Sequence, residues 1–366
     1  MAGVYISWPF CSQKCTYCNF ASGVFPRELE RGYGAALARE VATVDWPWTP
    51  ETVYLGGGTP SSMDADELAG LLGRIPGQPW REATLEAAPG SITGELAGKW
   101  REAGITRLSL GVQSFVDREL RRTGRRHDAA TVAREVGLAR ATGIDEISID
   151  LIAGLPGQTA ESWEQSLDWI ERLAVPHVSV YMLEVDEDSR LGLEILQGGL
   201  RYGAPDAPGE EQVAAFYERA VERLRSMGLM RYEISNFARP GHESQHNLKY
   251  WRLEPYIGFG ADAHSFDGVV RRQTVETAAE YVERIESGRS PVLAESPASP
   301  DEERFFVGLR LSEGVPFGPS DWERHRAALE TFLSAGLLER DGGRLRLTDR
   351  GVLLSNEVFQ EFVETP

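Results

Sequence analysis

The chain has 366 residues, 42% hydrophobic and 26% charged, with 38 Lys and Arg against 56 Asp and Glu for a formal net charge of −18. That composition is globular, with enough chain for a large α/β domain and a smaller one. The acidic balance, with no local basic patch noted, argues against duplex nucleic acid as a partner. No run reaches the roughly 18 apolar residues of a membrane span, and Met1-Ala2-Gly3-Val4-Tyr5 lacks a basic n-region. No signal peptide is therefore expected; the expected location is cytoplasmic, with peripheral membrane association at most.

In chain order, Val4-Tyr5-Ile6 reads as a strand and Arg27 to Val44 as a helix. Further strands are expected at Thr52–Leu55, Ala83–Glu86, Arg107–Gly111, Glu146–Leu151 and His177–Met182, with amphipathic stretches such as Leu68–Ile75 and Thr131–Thr142 between them. Regular βα alternation implies a parallel sheet with right-handed crossovers. Six units suit a partial (β/α)6 barrel over residues 1–235, with chemistry at the C-terminal strand ends. Gly198 to Gly209 reads as an insertion loop before a helix Glu210–Met227. Residues 236–296 read as an irregular connecting segment that turns helical near Thr277–Glu286, ending at Ser296-Pro297-Ala298-Ser299-Pro300. Residues 297–366 read as a small winged-helix-like α+β domain: helices over Asp301–Leu311 and Trp322–Ala335, then a hairpin on Gly342-Gly343. Acidic side chains outnumber basic ones from 301 to 366, so a structural or docking role is expected there rather than DNA binding.

The three cysteines, Cys11, Cys15 and Cys18, crowd into one loop after the first strand. An odd, clustered set is no disulfide framework. C-x3-C-x2-C lets each thiolate hold one iron of a cubane, and no fourth cysteine exists to take the last iron. A Cys3His zinc site is the alternative, although the first histidine is His127, far outside the usual spacing. A Cys15–Cys18 redox pair would leave Cys11 unexplained.

Tyr5-Ile6-Ser7-Trp8-Pro9-Phe10-Cys11-x3-Cys15-x-Tyr17-Cys18-Asn19-Phe20 resembles the start of radical S-adenosylmethionine (SAM) proteins of the oxygen-independent coproporphyrinogen oxidase group. Within the group it is most similar to the HemW-type heme chaperones. Ser7 departs from the family pattern, which has histidine there. The resemblance implies a [4Fe–4S] cluster on Cys11, Cys15 and Cys18 with its open iron chelated by SAM. It implies Gly57, Gly58 and Thr59, within Gly56-Gly57-Gly58-Thr59-Pro60, as contacts to the amino-acid end of SAM; glycines there let backbone approach a ligand closely. It further implies Glu86, Gln113, Arg125 and Asp150 at successive strand ends, with Tyr5 and Tyr17 flanking the cluster. Taken singly, such residues are more often caps or salt-bridge partners. His127, beside Asp128 at an expected helix start, is given no catalytic role.

Two features favour the chaperones over the oxidases. Phe20 stands where the oxidases carry an additional cysteine, and Cys11 comes early. His246-Asn247-Leu248-Lys249-Tyr250-Trp251 also matches the chaperones' H-N-x-x-Y-W signature. On a helix His246 and Tyr250 share a face, and imidazole is a natural axial ligand for heme iron. The expectation is that His246 ligates heme, with Tyr250 and Trp251 lining the site and His242 and His264 as alternatives; a packing motif is the plainer reading. The function expected is a heme chaperone that binds heme, the cluster and SAM and passes heme to an unidentified acceptor protein. The alternative is a radical enzyme of the coproporphyrinogen III dehydrogenase type.

Overall fold

The computed structural model describes residues 2–362. Six strands, β1 (Ala2–Trp8), β2 (Pro50–Gly57), β3 (Glu82–Ala87), β4 (Arg107–Gln113), β5 (Glu146–Ala153) and β6 (His177–Met182), pair in parallel in chain order. They are connected through α1 (Arg27–Thr43), α2 (Ala65–Leu72), α3 (Gly94–Glu102), α4 (Asp117–Arg122), α5 (Ala129–Ala141) and α6 (Ala160–Leu173). Helix starts are fixed by side-chain caps: Asp64 accepts from Asp66 N and Glu67 N, Thr93 from Leu96 N, and Asp128 from Thr131 N. Thr159 and Ser162 form a reciprocal capping box.

Each strand has two faces of different character. Val4, Ile6, Val53, Leu55, Leu85, Leu108, Ile147, Ile149 and Val178 are fully buried apolar residues. The alternate positions are polar: Tyr5 pairs with Tyr54, Tyr54 with Thr84, Glu86 with Ser109, Ser109 with Ser148, and Asp150 with Ser179. Because side chains alternate across a strand, the apolar set packs under the helices and the polar set faces the barrel interior. That interior is therefore built for polar chemistry.

The barrel does not close on itself. Beyond β6 come α7 (Arg190–Leu196), a 3-10 segment (Arg201–Asp206), α8 (Glu210–Ser226), β7 (Met230–Arg231) and β8 (Asn236–Ala238), and β8 lies antiparallel on β6. The expected loop over 198–209 thus carries a 3-10 segment of its own. Next follow α9 (Gln245–Trp251), β9 (Tyr256–Phe259), β10 (His264–Phe266), β11 (Val270–Thr274), α10 (Ala278–Glu286) and β12 (Val292–Pro297). β9 lies parallel to β1 on its free edge, and β10, β11 and β12 continue outward to complete a twelve-stranded sheet. The expectation of irregular chain after residue 235 is corrected here. These strands are short, and β11 carries Arg271 and Arg272, so neither length nor apolar alternation marks them.

The C-terminal part holds α11 (Pro300–Phe306), β13 (Val315–Pro316), α12 (Pro319–Ser334), β14 (Leu338–Asp341), β15 (Arg344–Leu347), α13 (Asp349–Leu353) and α14 (Ser355–Gln360). β13, β15 and β14 form a three-stranded antiparallel sheet, and the β14–β15 hairpin turns on Gly342 and Gly343 with φ of 54° and 82°. Arg271 pairs with Glu303, and Arg310 Nη2 lies 3.2 Å from Glu233, tying this part to the barrel. The expected chain limits at residues 1 and 366 fall outside the described residues. No helix among the described residues is long and apolar enough to cross a membrane.

Candidate functional site

The cysteine loop leaves β1 and crosses the C-terminal ends of the strands. Its backbone is held by Cys11 N donating to Gly23 O at 2.8 Å and Thr16 N to Thr123 O at 3.2 Å. Cys11, Cys15 and Cys18 are free, part-buried thiols that all face one cavity of about 510 Å³. Burial pushes the Cys11 thiol up, against hydrogen bonds from Thr59 and Ser22 that pull it down. Beside the loop, Gly58 N donates to Trp8 O at 2.8 Å and Thr59 N to Phe10 O at 2.9 Å. A Cβ on Gly58 would fall 2.8 Å from Phe10 O, and Gly57 takes φ of 107°. Only glycine lets these backbones approach so closely.

The same cavity collects most of the expected residues from different strands: Tyr17, Gly57, Gly58, Thr59, Glu86, Gln113, Arg125 and Asp150. Glu86 and Asp150 come from the polar face of β3 and β5. Burial raises Glu86 to about 7, with the Tyr54 hydroxyl donating to it at 2.8 Å in opposition. Burial likewise raises Asp150 to about 6, against hydrogen bonds from Ser179 and Ser109. Arg125 Nη2 donates to the Tyr17 hydroxyl at 3.2 Å. Burial works against its charge, but Tyr17 and Cys15 outweigh that and move the guanidinium pKa up. His127 also lines the cavity; burial, then Arg125, lowers it to about 4, so its imidazole is neutral, and its Nε2 lies 3.2 Å from Val112 O. Gln113 Oε1 and Arg125 Nε are buried without a protein partner, and Gln113 sits at φ of 70°. Orphaned polar atoms and left-handed backbone at one site are the marks of a ligand pocket.

Tyr5 is the exception. It lies outside the cavity wall, its ring 6.1 Å from that of Tyr54, and reaches the cavity through the Tyr54–Glu86 bond. Residues the sequence reading passed over line the cavity as well, among them Ser109, Ile152, Tyr181 and Met182. The signal was present: Tyr181 follows Ser179 on β6 as Asp150 follows Ser148 on β5.

The His246 segment lies at the opposite, N-terminal end of the strands. Glu82, the first residue of β3, accepts from Ser244 Oγ, Gln245 N and His246 N at 3.3, 3.0 and 2.9 Å, capping α9 with a carboxylate. His246 is fully buried; its Nδ1 is 2.8 Å from Thr52 Oγ1 and its Nε2 2.8 Å from the Tyr250 hydroxyl. A Cβ on Gly3 would meet the imidazole at 3.0 Å. Burial, then Lys249, lowers His246 to about 3. Both ring nitrogens of His246 are thus hydrogen-bonded inside the barrel end. Tyr250 packs edge-on to Tyr256 at 4.7 Å, and Trp251 lies under Arg310 at 4.4 Å, so neither forms an open wall for a macrocycle. His242 bonds Glu146 at 2.7 Å, and His264 is exposed on β10.

The Radical SAM superfamily model matches residues 5–170, and the HemN C-terminal domain model matches residues 300–354. The chain is 34% identical to the heme chaperone HemW of Bacillus subtilis (strain 168), over 99% of both chains. It is 36% identical to the heme chaperone HemW of Mycobacterium tuberculosis (strain ATCC 25618 / H37Rv), over 98% of this chain and 94% of that one. The chain belongs to the HemW family. HemW of Escherichia coli (strain K12) is 30% identical over 98% of this chain and 97% of its own length. Among solved structures, the radical SAM coproporphyrinogen III oxidase HemN of Escherichia coli superposes with a TM-score of 0.84 over 99% of this chain and 89% of that one. At 21% identity that likeness shows a shared fold.

Radical SAM membership implies a cluster and SAM, and the residues present fit both. Three thiols on one loop face a cavity walled by Gly57, Gly58 and Thr59, with orphaned Gln113 and Arg125 atoms beside them. A cubane takes one thiolate per iron, and three thiols on one loop suit three of its four irons.

Proposed function

We propose that this HemW-family protein is a cytoplasmic heme chaperone. It binds heme, a [4Fe–4S] cluster and SAM, and passes heme to an acceptor protein. The observation that carries the reading is the full-length identity to relatives named heme chaperones, whereas the likeness to the oxidase is one of fold. Phe20 in place of an additional cysteine supports it.

In this reading Cys11, Cys15 and Cys18 hold three irons and leave the fourth for SAM. A bound cluster and SAM supply one-electron chemistry. The chain's own residues do the rest. Gly57, Gly58 and Thr59 bring backbone polar groups to the amino-acid end of SAM, while Gln113 Oε1, Arg125 Nε and Asp150 meet its other polar atoms. Glu86 offers a carboxylate to a cationic ligand, and Tyr54 orients it, backed by Tyr5. Tyr17 holds Arg125 beside the cysteines. Heme contact by His246, Tyr250 and Trp251 requires α9 to withdraw from the barrel end, releasing the bonds to Thr52 and Glu82.

Anaerobically reconstituted protein, titrated with hemin and assayed with coproporphyrinogen III and SAM on the same sample, tests the assignment. Heme binding without formation of protoporphyrinogen IX is expected. Sustained SAM-dependent turnover would move the assignment to the oxidases.

A further inference from the structure

The cysteine cavity and α9 lie at opposite ends of the barrel, and β3 runs between them. Glu82, its first residue, accepts from the backbone of the α9 start, and Glu86 lines the cavity. Side chains alternate along a strand, so both carboxylates lie on its polar face, about 13 Å apart along the chain.

Tyr54, on the neighbouring strand β2, bridges that distance. Its hydroxyl donates to Glu86 Oε1 at 2.8 Å, and its ring packs against the His246 imidazole with centroids 5.3 Å apart and planes 30° from parallel. Tyr5 stacks on the same tyrosine at 6.1 Å. Gly56 makes the convergence possible: a Cβ there would lie 2.9 Å from Tyr54 Cε1 and 3.1 Å from both Glu86 Oε1 and Tyr5 Cε2. His246 is held in turn by Thr52 and Tyr250. Two side-chain contacts, Glu86 to Tyr54 and Tyr54 to His246, therefore separate a cavity carboxylate from the helix that carries the heme-contact residues.

We propose, resting on the heme reading above, that Tyr54 couples the SAM pocket to α9: SAM on Glu86 holds α9 shut, and withdrawal of α9 for heme weakens SAM. A cationic ligand keeps Glu86 ionised, and a hydroxyl donating to a carboxylate makes a bond roughly twice as strong as one to a neutral carboxyl. That bond fixes the Tyr54 ring, and the ring is one wall around the imidazole. When α9 withdraws, Tyr54 loses the imidazole from its side and Glu86 loses a fixed donor. Docked and withdrawn α9 are the two states, and each ligand binds one of them better. Such coupling is reciprocal, so SAM weakens heme by the factor by which heme weakens SAM. SAM arriving at the cavity thus favours heme release at the far end.

The test follows amide hydrogen exchange over α9 in the cluster-reconstituted full chain, with and without SAM, and titrates hemin under the same two conditions. SAM should slow exchange in α9 about tenfold and weaken hemin about tenfold, within the usual range for coupled sites. Tyr54→Phe keeps the ring and removes only the donor, and Glu86→Gln keeps the shape but cannot ionise. Compared at saturating SAM, each variant should reduce both effects to within about twofold. An unchanged cluster absorption checks that the barrel is intact. Exchange in the parent that is unaltered or faster with SAM, or coupling undiminished in both variants, would overturn the proposal. If hemin binds equally well with and without SAM, the coupling is wrong and the heme reading stands. If SAM slows α9 exchange in the parent alone and no hemin binds, the coupling stands and the heme reading falls.

Discussion

Thr52 Oγ1 of β2 lies 2.8 Å from His246 Nδ1 of α9, joining residues 194 apart in sequence at the closed end of the barrel. With Tyr250 on the other ring nitrogen and Glu82 under the helix start, the imidazole is a keystone of a buried polar network. Removing it opens a void and leaves Thr52 and Tyr250 without their shared partner. His246→Ala should therefore destabilise the protein by about 2–4 kcal/mol, read from urea unfolding. Thr52→Val should cost less, about 1 kcal/mol. A His246→Ala variant as stable as the parent would mean that this end is open in solution.

With Glu86 in the proposed SAM pocket, SAM affinity should depend on pH. Its carboxyl titrates at about 7 in the ligand-free cavity, raised by burial. A cationic ligand binds the ionised form better, so affinity should rise as pH rises through 7 and fall by up to about tenfold per unit below it. The same raised pKa works the other way on folding: the folded state holds the proton more tightly, so this group's stabilisation is full below the ordinary carboxyl range and lost as pH rises through 7. Glu86→Gln should flatten the pH profile of SAM affinity measured by equilibrium dialysis. A profile in Glu86→Gln as steep as in the parent would assign the dependence to another group.

The cysteines and the pocket carboxylates should separate experimentally. Replacing any one of Cys11, Cys15 or Cys18 by Ala should lower bound iron well below about four per chain after anaerobic reconstitution. Gly58→Ala should do the same, because its Cβ would strike the Phe10 carbonyl that leads into the loop. Asp150→Asn should keep the iron and weaken SAM. Iron retained in all the cysteine variants, or stoichiometric zinc in their place, would contradict the cluster assignment.

The cysteine loop and the six βα units were legible because their signals are local: a spacing, and an alternation of short apolar runs with helical periods. The polar interior was half legible. Glu86 and Asp150 were placed, but the period-2 companions Ser109 and Tyr181 were passed over, although the same alternation carries them. Tyr5 lies on the expected strand, and its stacking beside Tyr54 arises only when β1 and β2 pair. His246 shows the limit most clearly. An i, i+4 His–Tyr pair has the same pattern on an exposed helix and on one plugging a barrel, and tertiary closure decides between them. β9–β12 are extended by pairing along an existing sheet edge, which no local propensity announces.

The heme-chaperone assignment is tested most directly by transfer. Reconstituted protein loaded with one equivalent of heme is mixed with an apo-hemoprotein under anaerobic conditions, and the acceptor's Soret band is followed over time. The account predicts that heme binds at about one per chain, moves to the acceptor faster than free hemin is taken up from buffer, and leaves the cluster absorption unchanged. Failure to bind heme, or delivery no faster than from free hemin, would contradict it.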